Sequence, residues 1–373
     1  MSELSTPRSV QRIDSLTGLR WWAAFGVFAY HMNNLAPLPI AALLQWGNYG
    51  VTFFFVLSGF VLSWSARPET TSPQTFWWRR FARIYPAHFV ALLLAILVFY
   101  SFNPDPAQWW VKPFDLPILL LSVVLIQGWW RDPLILFSGN PAAWTLTCEA
   151  FFYALHPGLN RGLRRLGKRW ALVVAALVVL VAFAYRAALI VWPGVVPDLP
   201  WPILRLTEFV IGMAMAQAFL RGWRPRITPL ATYISAALLL GWLTISTQFT
   251  EDFIVAQSTI AFANELIIVL CAAMIATVAA RDLRDGKSML RHRIVLWLGD
   301  LSYSFYLVHA TIIYALLAIV GPQGGGWSNA PWYVLCLVLA IGLASLLHYF
   351  VERPAERALR SWWDTRRARA GLT

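Results

Sequence analysis

The sequence predicts an all-α fold: a polytopic membrane helix bundle with about ten transmembrane helices plus one re-entrant or half-depth segment, and with both termini cytoplasmic. Two observations predict this class. First, apolar residues make up 59% of the 373 residues and charged residues only 13%, whereas a soluble domain carries roughly 25% charged residues. Second, long apolar runs alternate with loops rich in Lys and Arg. We therefore expect a multi-pass protein of the cell membrane, plasma or inner, with the lipid bilayer as its surroundings.

Each apolar run is a candidate helix. A bilayer core of about 30 Å needs about 20 apolar residues per helix. Eleven runs approach that length, and two of them, 116–130 and 142–157, are short. In chain order the runs are 16–36, 49–65, 84–101, 116–130, 142–157, 170–191, 202–219, 229–247, 259–280, 296–320 and 331–350.

The loops between the runs test how many of them cross. Lys and Arg accumulate on the cytoplasmic side of a membrane protein. Most of the 30 basic residues fall in six groups, which lie at 8–20, 67–83, 161–169, 221–226, 281–293 and 353–369. If all eleven runs crossed, these groups would lie on both sides of the membrane. If one of the two short runs enters and leaves by the same face, every group lies on one side, so we predict ten crossings.

The charge map also bears on partners and domains. The formal net charge of +12 would favour nucleic acid in a soluble protein, but the topology accounts for it, and we expect no nucleic acid. We divide the chain into a cytoplasmic N-terminal segment at 1–15, a membrane-embedded domain at 16–350 and a basic cytoplasmic tail at 351–373. The first segment has no apolar core of a cleaved signal peptide. The three cysteines lack the spacing of a metal site or a disulfide framework.

Two ionisable residues share one face of the first run. Arg20 and His31 are eleven residues apart, which is close to three full helical turns and puts His31 about 16 Å deeper than Arg20. Ionisable groups at membrane depth are candidates for function because burying a charge in lipid is expensive. His31 near the midplane is a candidate general base, and a core histidine hydrogen-bonded between helices is the alternative.

The short run 142–157 contains one acidic residue, Glu149. A buried carboxylate needs a partner or a proton, and either condition suits a general base or a group that orients a histidine. The alternative is a structural ion pair with Arg131, Arg186 or Arg205.

A stripe of polar residues lies on the run 296–320. Ser302 and His309 are seven residues apart on one helix face, with Tyr303 and Tyr306 between them. Such a stripe either binds a polar acceptor or joins helices by hydrogen bonds. The two interpretations stay open.

The loop before the third run contains two arginines on adjacent positions of one helix face. Arg80 and Arg83 are three residues apart and can hold a polyphosphate at the inner membrane surface. Ordinary anchoring of the helix end is the alternative. The glycines within 47–60 favour close helix packing.

The remaining membrane histidines receive no functional role. His88 and His156 are interpreted as interfacial, near the ends of their runs. His348 ends the last run, and we expect Glu352 with Arg353 to cap that helix end.

Taken together, these motifs resemble the acyltransferase 3 family of integral-membrane O-acyltransferases, and they occur in the family's order over most of the chain. One departure is Ala150, which stands where the family usually has a second acid after Glu149. The matching residues are Arg20 and His31 (R-x10-H), Phe54, Phe55 and Ser58 to Phe60 (FF-x-x-SGF), Arg80, Arg83, Tyr85 and Pro86 (R-x-x-R-I-Y-P), Trp144, Leu146 and Glu149 (W-x-L-x-x-E), Ser302, Tyr303, Tyr306 and His309 (S-Y-x-x-Y-L-x-H), and Glu352 to Pro354 (E-R-P).

The resemblance implies that a cytoplasmic acyl-CoA, either acetyl-CoA or another short acyl-CoA, donates its acyl group to a hydroxyl, and it implies no metal. His31, oriented by Glu149, would take the proton from that hydroxyl. The donor phosphates would contact three arginines, and the acceptor would contact the polar stripe. The residues in those two roles are Arg20, Arg80 and Arg83 for the donor, and Ser302, Tyr303, Tyr306 and His309 for the acceptor.

The acceptor is the least specified part of this expectation. The compact chain and the opening segment 15–28 look most like the subgroup that acylates sugars or hydroxyls of secondary metabolites, such as macrolides in antibiotic biosynthesis. One alternative is O-acetylation of a cell-envelope glycan or glycolipid by acyl relay across the membrane. An alternative of another class is a small-molecule transporter, which would also hold charges at the midplane. The oligomeric state is open.

Overall fold

The computed structural model describes residues 11–67, 71–249 and 254–371, and they form a bundle of α-helices. In the described ranges the strands form one short parallel pair, β1 (Tyr100–Ser101) with β2 (Lys112–Pro113). The helices are α1 (Asp14–Met32), α2 (Ala41–Leu44), α3 (Gly50–Trp64), α4 (Pro73–Phe99), α5 (Leu116–Val123), α6 (Pro133–Leu136), α7 (Trp144–Leu163), α8 (Lys168–Val191), α9 (Trp201–Leu220), α10 (Pro229–Ser246), α11 (Ile254–Ala261), α12 (Ala263–Asp282), α13 (Arg293–Val320), α14 (Ala330–Leu347) and α15 (Arg353–Arg369).

Eight helices within the described residues are long and apolar enough to cross a membrane. They confirm the all-α membrane class. Helices α1 and α7, of 19 and 20 residues, are not among the eight, and both carry polar side chains along their length. The ten crossings and the cytoplasmic termini stay predictions. The eight are Ala41–Trp64, Pro73–Phe99, Lys168–Val191, Trp201–Leu220, Pro229–Ser246, Ala263–Asp282, Arg293–Val320 and Trp327–Arg369.

The two short apolar runs have different structures. Run 116–130 contains the eight-residue helix α5 and a 3-10 turn, Gln127–Trp129. Eight residues rise about 12 Å, less than half of a bilayer core of about 30 Å. Residues 144–157 of the run 142–157 lie in the continuous 20-residue helix α7, and the first two residues of the run belong to the preceding 3-10 turn, Pro141–Ala143. Of the two, run 116–130 is therefore the one with the length of a half-depth segment.

Glycines set the closest helix contacts, as the sequence predicted for 47–60. Gly59 of α3 lies directly against the carbonyl of Phe209 in α9, and Gly212 of α9 lies against the carbonyl of Val56. A side chain at either glycine would collide with backbone. Helix α3 is thereby held tightly against α9 at the centre of the bundle, beside the fully buried Phe60.

The same device fixes α1 against α13. Gly299 at the start of α13 lies against the backbone of Thr17, and Gly18 lies against the backbone of Leu290, just before α13. Because both helices run in the same direction from this contact, their later residues meet in register. The contact brings the last turn of α1 to the middle of α13, where His309 lies.

The two histidines interpreted as interfacial, His88 and His156, are packed inside the protein. Both side chains are buried, with 0% and 2% of their surface exposed. His88 Nε2 lies 3.0 Å from the carbonyl oxygen of Ser122, and His156 Nε2 lies 3.3 Å from the hydroxyl of Ser63. Each histidine joins two segments of the bundle, which explains how a polar ring is accommodated in the interior.

The prediction that Glu352 and Arg353 cap the end of the last membrane helix is wrong, because the helical backbone does not end at Glu352. A π-helical turn, His348–Glu352, continues α14 into α15. Glu352 points inward, where its Oε2 accepts hydrogen bonds from Ser304 at 2.6 Å and His348 at 2.8 Å. Helix α15 then folds against α4, with Trp78 stacked on Trp363 at 5.3 Å. The outer parts of the predicted terminal segments, 1–10 with Arg8 and 372–373, lie outside the described residues.

Candidate active site

Two cavities lie at different depths along α1. The larger has a volume of about 990 Å³ and contains His31 in its lining. The smaller has a volume of about 190 Å³ and contains Arg20. We call them the histidine cavity and the arginine cavity. Val51 and Tyr306 line both, so these two side chains form the wall between them.

His31 and His309 face each other in the histidine cavity. Their ring centroids are 5.3 Å apart. His309 Nδ1 lies 2.8 Å from the backbone oxygen of Tyr306. Since a carbonyl oxygen only accepts hydrogen bonds, that nitrogen carries the hydrogen and Nε2 keeps the lone pair. Both His309 Nε2 and His31 Nδ1 are buried without a hydrogen-bond partner among the described residues.

The rest of the histidine cavity is aromatic and basic. Arg131 and Arg205 lie over the ring of Trp201, with the guanidinium carbons 4.4 Å and 5.1 Å from the ring centre. Arg205 also donates hydrogen bonds to Glu208 at 2.6 Å and to Asn264 at 2.7 Å. Further aromatic side chains line the cavity: Phe99, Trp109, Trp110, Trp144 and Tyr314. A cavity of this size and chemistry suits a sizeable ligand with apolar faces and a few polar groups.

The three predicted phosphate-binding arginines, Arg20, Arg80 and Arg83, all line the arginine cavity, but their surroundings differ. Arg83 forms ion pairs with Glu352 at 2.7 Å and Glu356 at 3.0 Å. Within the described part of the chain, Arg20 and Arg80 have no such pair, and Arg80 Nε is buried without a hydrogen-bond acceptor. The charge of Arg83 is therefore offset by its two partners, whereas Arg20 and Arg80 keep donors for a ligand.

Glu149 lies in the arginine cavity and not beside His31. Tyr153, one helical turn later, donates a hydrogen bond to Glu149 Oε2 at 3.0 Å. The alternative of an ion pair with Arg131, Arg186 or Arg205 is wrong, because those arginines line the other cavity. The rings next to His31 are those of Tyr30, His309 and Tyr314, so the structure brings Glu149 to the arginines and not to His31.

The polar stripe of α13 is divided between the cavities. Ser302 and Tyr303 line the arginine cavity, His309 lines the histidine cavity, and Tyr306 lines both. Ser302 donates a hydrogen bond to the Gly299 carbonyl at 2.7 Å, and Tyr303 donates one to the Ile84 carbonyl at 2.8 Å. The Ser302 hydroxyl acts within α13 and the Tyr303 hydroxyl joins α13 to α4, while Tyr306 lies where the two cavities meet.

Sequence reasoning missed some neighbours in these cavities. The Glu149–Tyr153 pair has the i,i+4 spacing of helix neighbours, so this signal was present in the sequence. The Arg83–Glu356 and Arg131–Trp201 contacts join distant segments, and no local pattern indicates them. In the described ranges no group of three or more His, Cys, Asp or Glu residues is placed to hold a metal ion.

Comparison with known proteins gives one family. The family model described as an acyltransferase domain (acyltransferase 3) matches residues 13–349. Acyltransferase MdmB of Streptomyces mycarofaciens is 34% identical over 95% of this chain and 94% of its own length. Nodulation protein 10 of Rhizobium leguminosarum bv. viciae is 29% identical over 90% of this chain and 91% of its own length.

A second kind of relative is longer. The putative peptidoglycan O-acetyltransferase YrhL of Bacillus subtilis is 25% identical over 92% of this chain but only 54% of its own length. The chain thus spans about half of that relative. No solved structure matches the chain.

Proposed function

The chain belongs to the acyltransferase 3 family, and on that premise we propose that it moves a short acyl group from cytoplasmic acyl-CoA to a hydroxyl of a sugar-bearing or macrolide-like acceptor. One observation carries the proposal: a basic cavity and an aromatic, histidine-containing cavity meet at Tyr306. Group transfer needs two substrates held with their reacting atoms together. Two cavities of different chemistry that share one wall meet this need.

The arginine cavity suits the donor. Guanidinium groups bind phosphate oxygens by paired, charge-assisted hydrogen bonds, and Arg20 and Arg80 have no ion-pair partner among the described side chains. A volume of about 190 Å³ admits the narrow arm of acyl-CoA and leaves its nucleotide at the mouth. Arg83, paired with Glu352 and Glu356, contributes charge and holds the wall of the cavity.

The histidine cavity suits the acceptor. Aromatic side chains such as Trp201 and Trp109 offer faces to a sugar ring or an apolar macrocycle. His31 takes the proton from the acceptor hydroxyl while the oxygen attacks the thioester carbonyl. The new C–O bond forms, the C–S bond breaks, and the proton passes from His31 to the leaving thiolate. This proposal moves the orienting role away from Glu149, which supports the donor side instead.

The membrane arrangement belongs to the same proposal. We infer ten crossings in the cell membrane, with 116–130 as the segment that does not cross and both termini cytoplasmic. In this arrangement 161–169 lies inside. A cysteine introduced at 161–169 should resist a membrane-impermeant thiol reagent added to intact cells, and efficient labelling would overturn the topology.

O-acetylation of a cell-envelope glycan by acyl relay is the second candidate. It is favoured by the two depths of the cavities on α1 and by the similarity to a putative peptidoglycan O-acetyltransferase. Sealed vesicles loaded with acyl-CoA distinguish the two candidates. Product formed on an impermeant glycan added outside would support the relay, and product formed only on a permeant macrolide would support the first candidate.

The direct test of the proposed function uses purified protein, radiolabelled acetyl-CoA and a panel of hydroxylated macrolides and glycan fragments. We expect CoA release that depends on an acceptor, together with label in the acceptor as an ester. Transport of an acceptor across vesicles without label transfer would support the transporter instead and overturn the proposal. His31→Ala serves as the inactive control.

A further inference from the structure

The two facing histidines define a positioning role. We propose that His309 holds the ring of His31 in the tautomer that leaves His31 Nε2 free to accept a proton. This proposal rests on the proposed function. In this arrangement His31 Nδ1–H donates to His309 Nε2. His31 then presents the lone pair of Nε2 to the cavity.

The tautomer of His309 is fixed by backbone. Its Nδ1 lies 2.8 Å from the Tyr306 oxygen and 3.3 Å from the Phe305 oxygen. Both are acceptors, so Nδ1 must donate and Nε2 must be an acceptor. The His309 side chain has no exposed surface, so its Nε2 has to find its donor among neighbouring groups.

His31 offers the matching donor. His31 Nδ1 is also buried without a hydrogen-bond partner among the described residues. The ring centroids of the two histidines are 5.3 Å apart and the ring planes are inclined at 50°. Neither nitrogen has a hydrogen-bond partner within the described part of the chain, but a rotation of the rings that points both nitrogens along the line between the centroids brings them within hydrogen-bond distance. That one hydrogen bond would pair both buried atoms, which are costly to leave unpaired.

No carboxylate competes for this role. In the described lining of the histidine cavity the acids are Asp198 and Glu265. Asp198 lies 4.0 Å from Arg131, and Glu265 lies 3.6 Å from Arg186. A neutral imidazole therefore does for His31 what a carboxylate does for the histidine of many hydrolases: it fixes the tautomer and accepts the hydrogen bond of the imidazolium.

Nuclear magnetic resonance of ¹⁵N-histidine tests this hydrogen bond without any substrate. The chain has only six histidines, and the signals that disappear in His31→Gln belong to His31. We expect His31 to be protonated on Nδ1, and we expect His309→Leu to change that tautomer or mix it. His88→Leu is the matched control, because His88 is equally buried and bonded to a carbonyl but lies outside both cavities.

Protonation of His31 on Nε2, or a tautomer that His309→Leu leaves unchanged, would overturn the proposal. Because this measurement needs no turnover, it separates the two claims. A chain that transfers no acyl group would defeat the proposed function and still show whether His309 orients His31.

Kinetics supply the second readout. We expect His309→Leu to lower kcat roughly 100-fold, since a general base contributes about 10²–10⁴-fold when correctly held, with KM for donor and acceptor changed less than about threefold. His309→Gln places an amide oxygen near the position of Nε2 and should restore kcat to within about tenfold of the wild type. A kcat for His309→Leu equal to that of His88→Leu, or Leu and Gln variants equally inactive, would overturn the positioning role.

Discussion

The histidine cavity and the arginine cavity both take an ionisable side chain from α1, His31 and Arg20, but they differ in the surroundings of their polar groups and in size. In the arginine cavity two of the four charged side chains have partners: Arg83 pairs with Glu352 and Glu356, and Glu149 accepts a hydrogen bond from Tyr153. The other two, Arg20 and Arg80, have no ion pair among the described residues. In the histidine cavity the facing nitrogens of His31 and His309 have no hydrogen-bond partner within the described residues. The arginine cavity is also the smaller, with a volume of about 190 Å³ against about 990 Å³ for the histidine cavity.

Under the proposed function, this difference predicts how the two substrates are recognised. Ion pairs of Arg83 fix the wall of the smaller cavity, which admits one narrow shape. This is expected for acyl-CoA, whose narrow arm is the same whatever acyl group it carries. The larger cavity is wide and aromatic and tolerates acceptors of different outline. We therefore expect donor specificity to be strict and acceptor specificity to be broad, with the chemistry located at the wall between them.

The largest expected effect is at His31. His31→Ala should lower kcat for acyl transfer by about 10²–10⁴-fold, because the general base is removed. The KM for acyl-CoA should stay nearly unchanged, since the donor contacts lie in the other cavity. Steady-state kinetics on purified protein check this, and a variant that keeps wild-type turnover would end the assignment of His31 as the base.

Next comes the stability of the arginine cavity. Arg83→Ala leaves Glu352, which is 1% exposed, without its cation, and breaking a buried pair costs about 3 kcal/mol or more. Arg80→Ala breaks no ion pair among the described residues and should cost much less. Thermal unfolding in detergent compares the two, and equal losses in Tm would contradict the distinction between a structural and a ligand-binding arginine.

A smaller kinetic effect separates the same two cavities. Arg80→Ala should raise the KM for acyl-CoA about tenfold, which is the loss of one charge-assisted phosphate contact, and leave the acceptor KM unchanged. Arg79→Ala is the matched control, because Arg79 is the neighbouring arginine and pairs with Asp364 at 3.6 Å on the surface. Equal rises in both KM values would favour simple anchoring of the helix.

The smallest expected effect on kinetics is at Trp201, an aromatic side chain that lines the histidine cavity. Trp201→Leu removes the ring that Arg131 and Arg205 cover and should raise the acceptor KM about three- to tenfold, since one aromatic contact is worth about 0.5–1.5 kcal/mol. The donor KM should not change. Competition between acceptors of different size, measured on this variant and the wild type, tests whether Trp201 sets the acceptor preference.

Features within one helix were predictable from the sequence. The eleven-residue spacing of Arg20 and His31 gives a shared face and two depths, and the structure puts them in two cavities along α1. The glycines of 47–60 were predicted to pack, and Gly59 does so against α9. In each case the helical period alone carries the information.

Contacts between distant segments were not predictable. The placement of the His31 ring 5.3 Å from the His309 ring depends on how Gly18 and Gly299 set α1 against α13, and no pattern within either helix encodes that register. Glu149 was expected beside His31 because both are polar residues of apolar runs. The rotation of α7 sends Glu149 to the arginine cavity instead, and only tertiary packing decides this.

Ligand density for a bound acyl-CoA would show at once which cavity holds the donor. In a structure of the protein with a non-hydrolysable acetyl-CoA analogue, we expect phosphates on Arg20 and Arg80, an arm that runs through the arginine cavity, and an acyl carbonyl that passes Tyr306 to reach His31. Phosphates bound among Arg131, Arg205 and Trp201 in the histidine cavity would contradict this expectation.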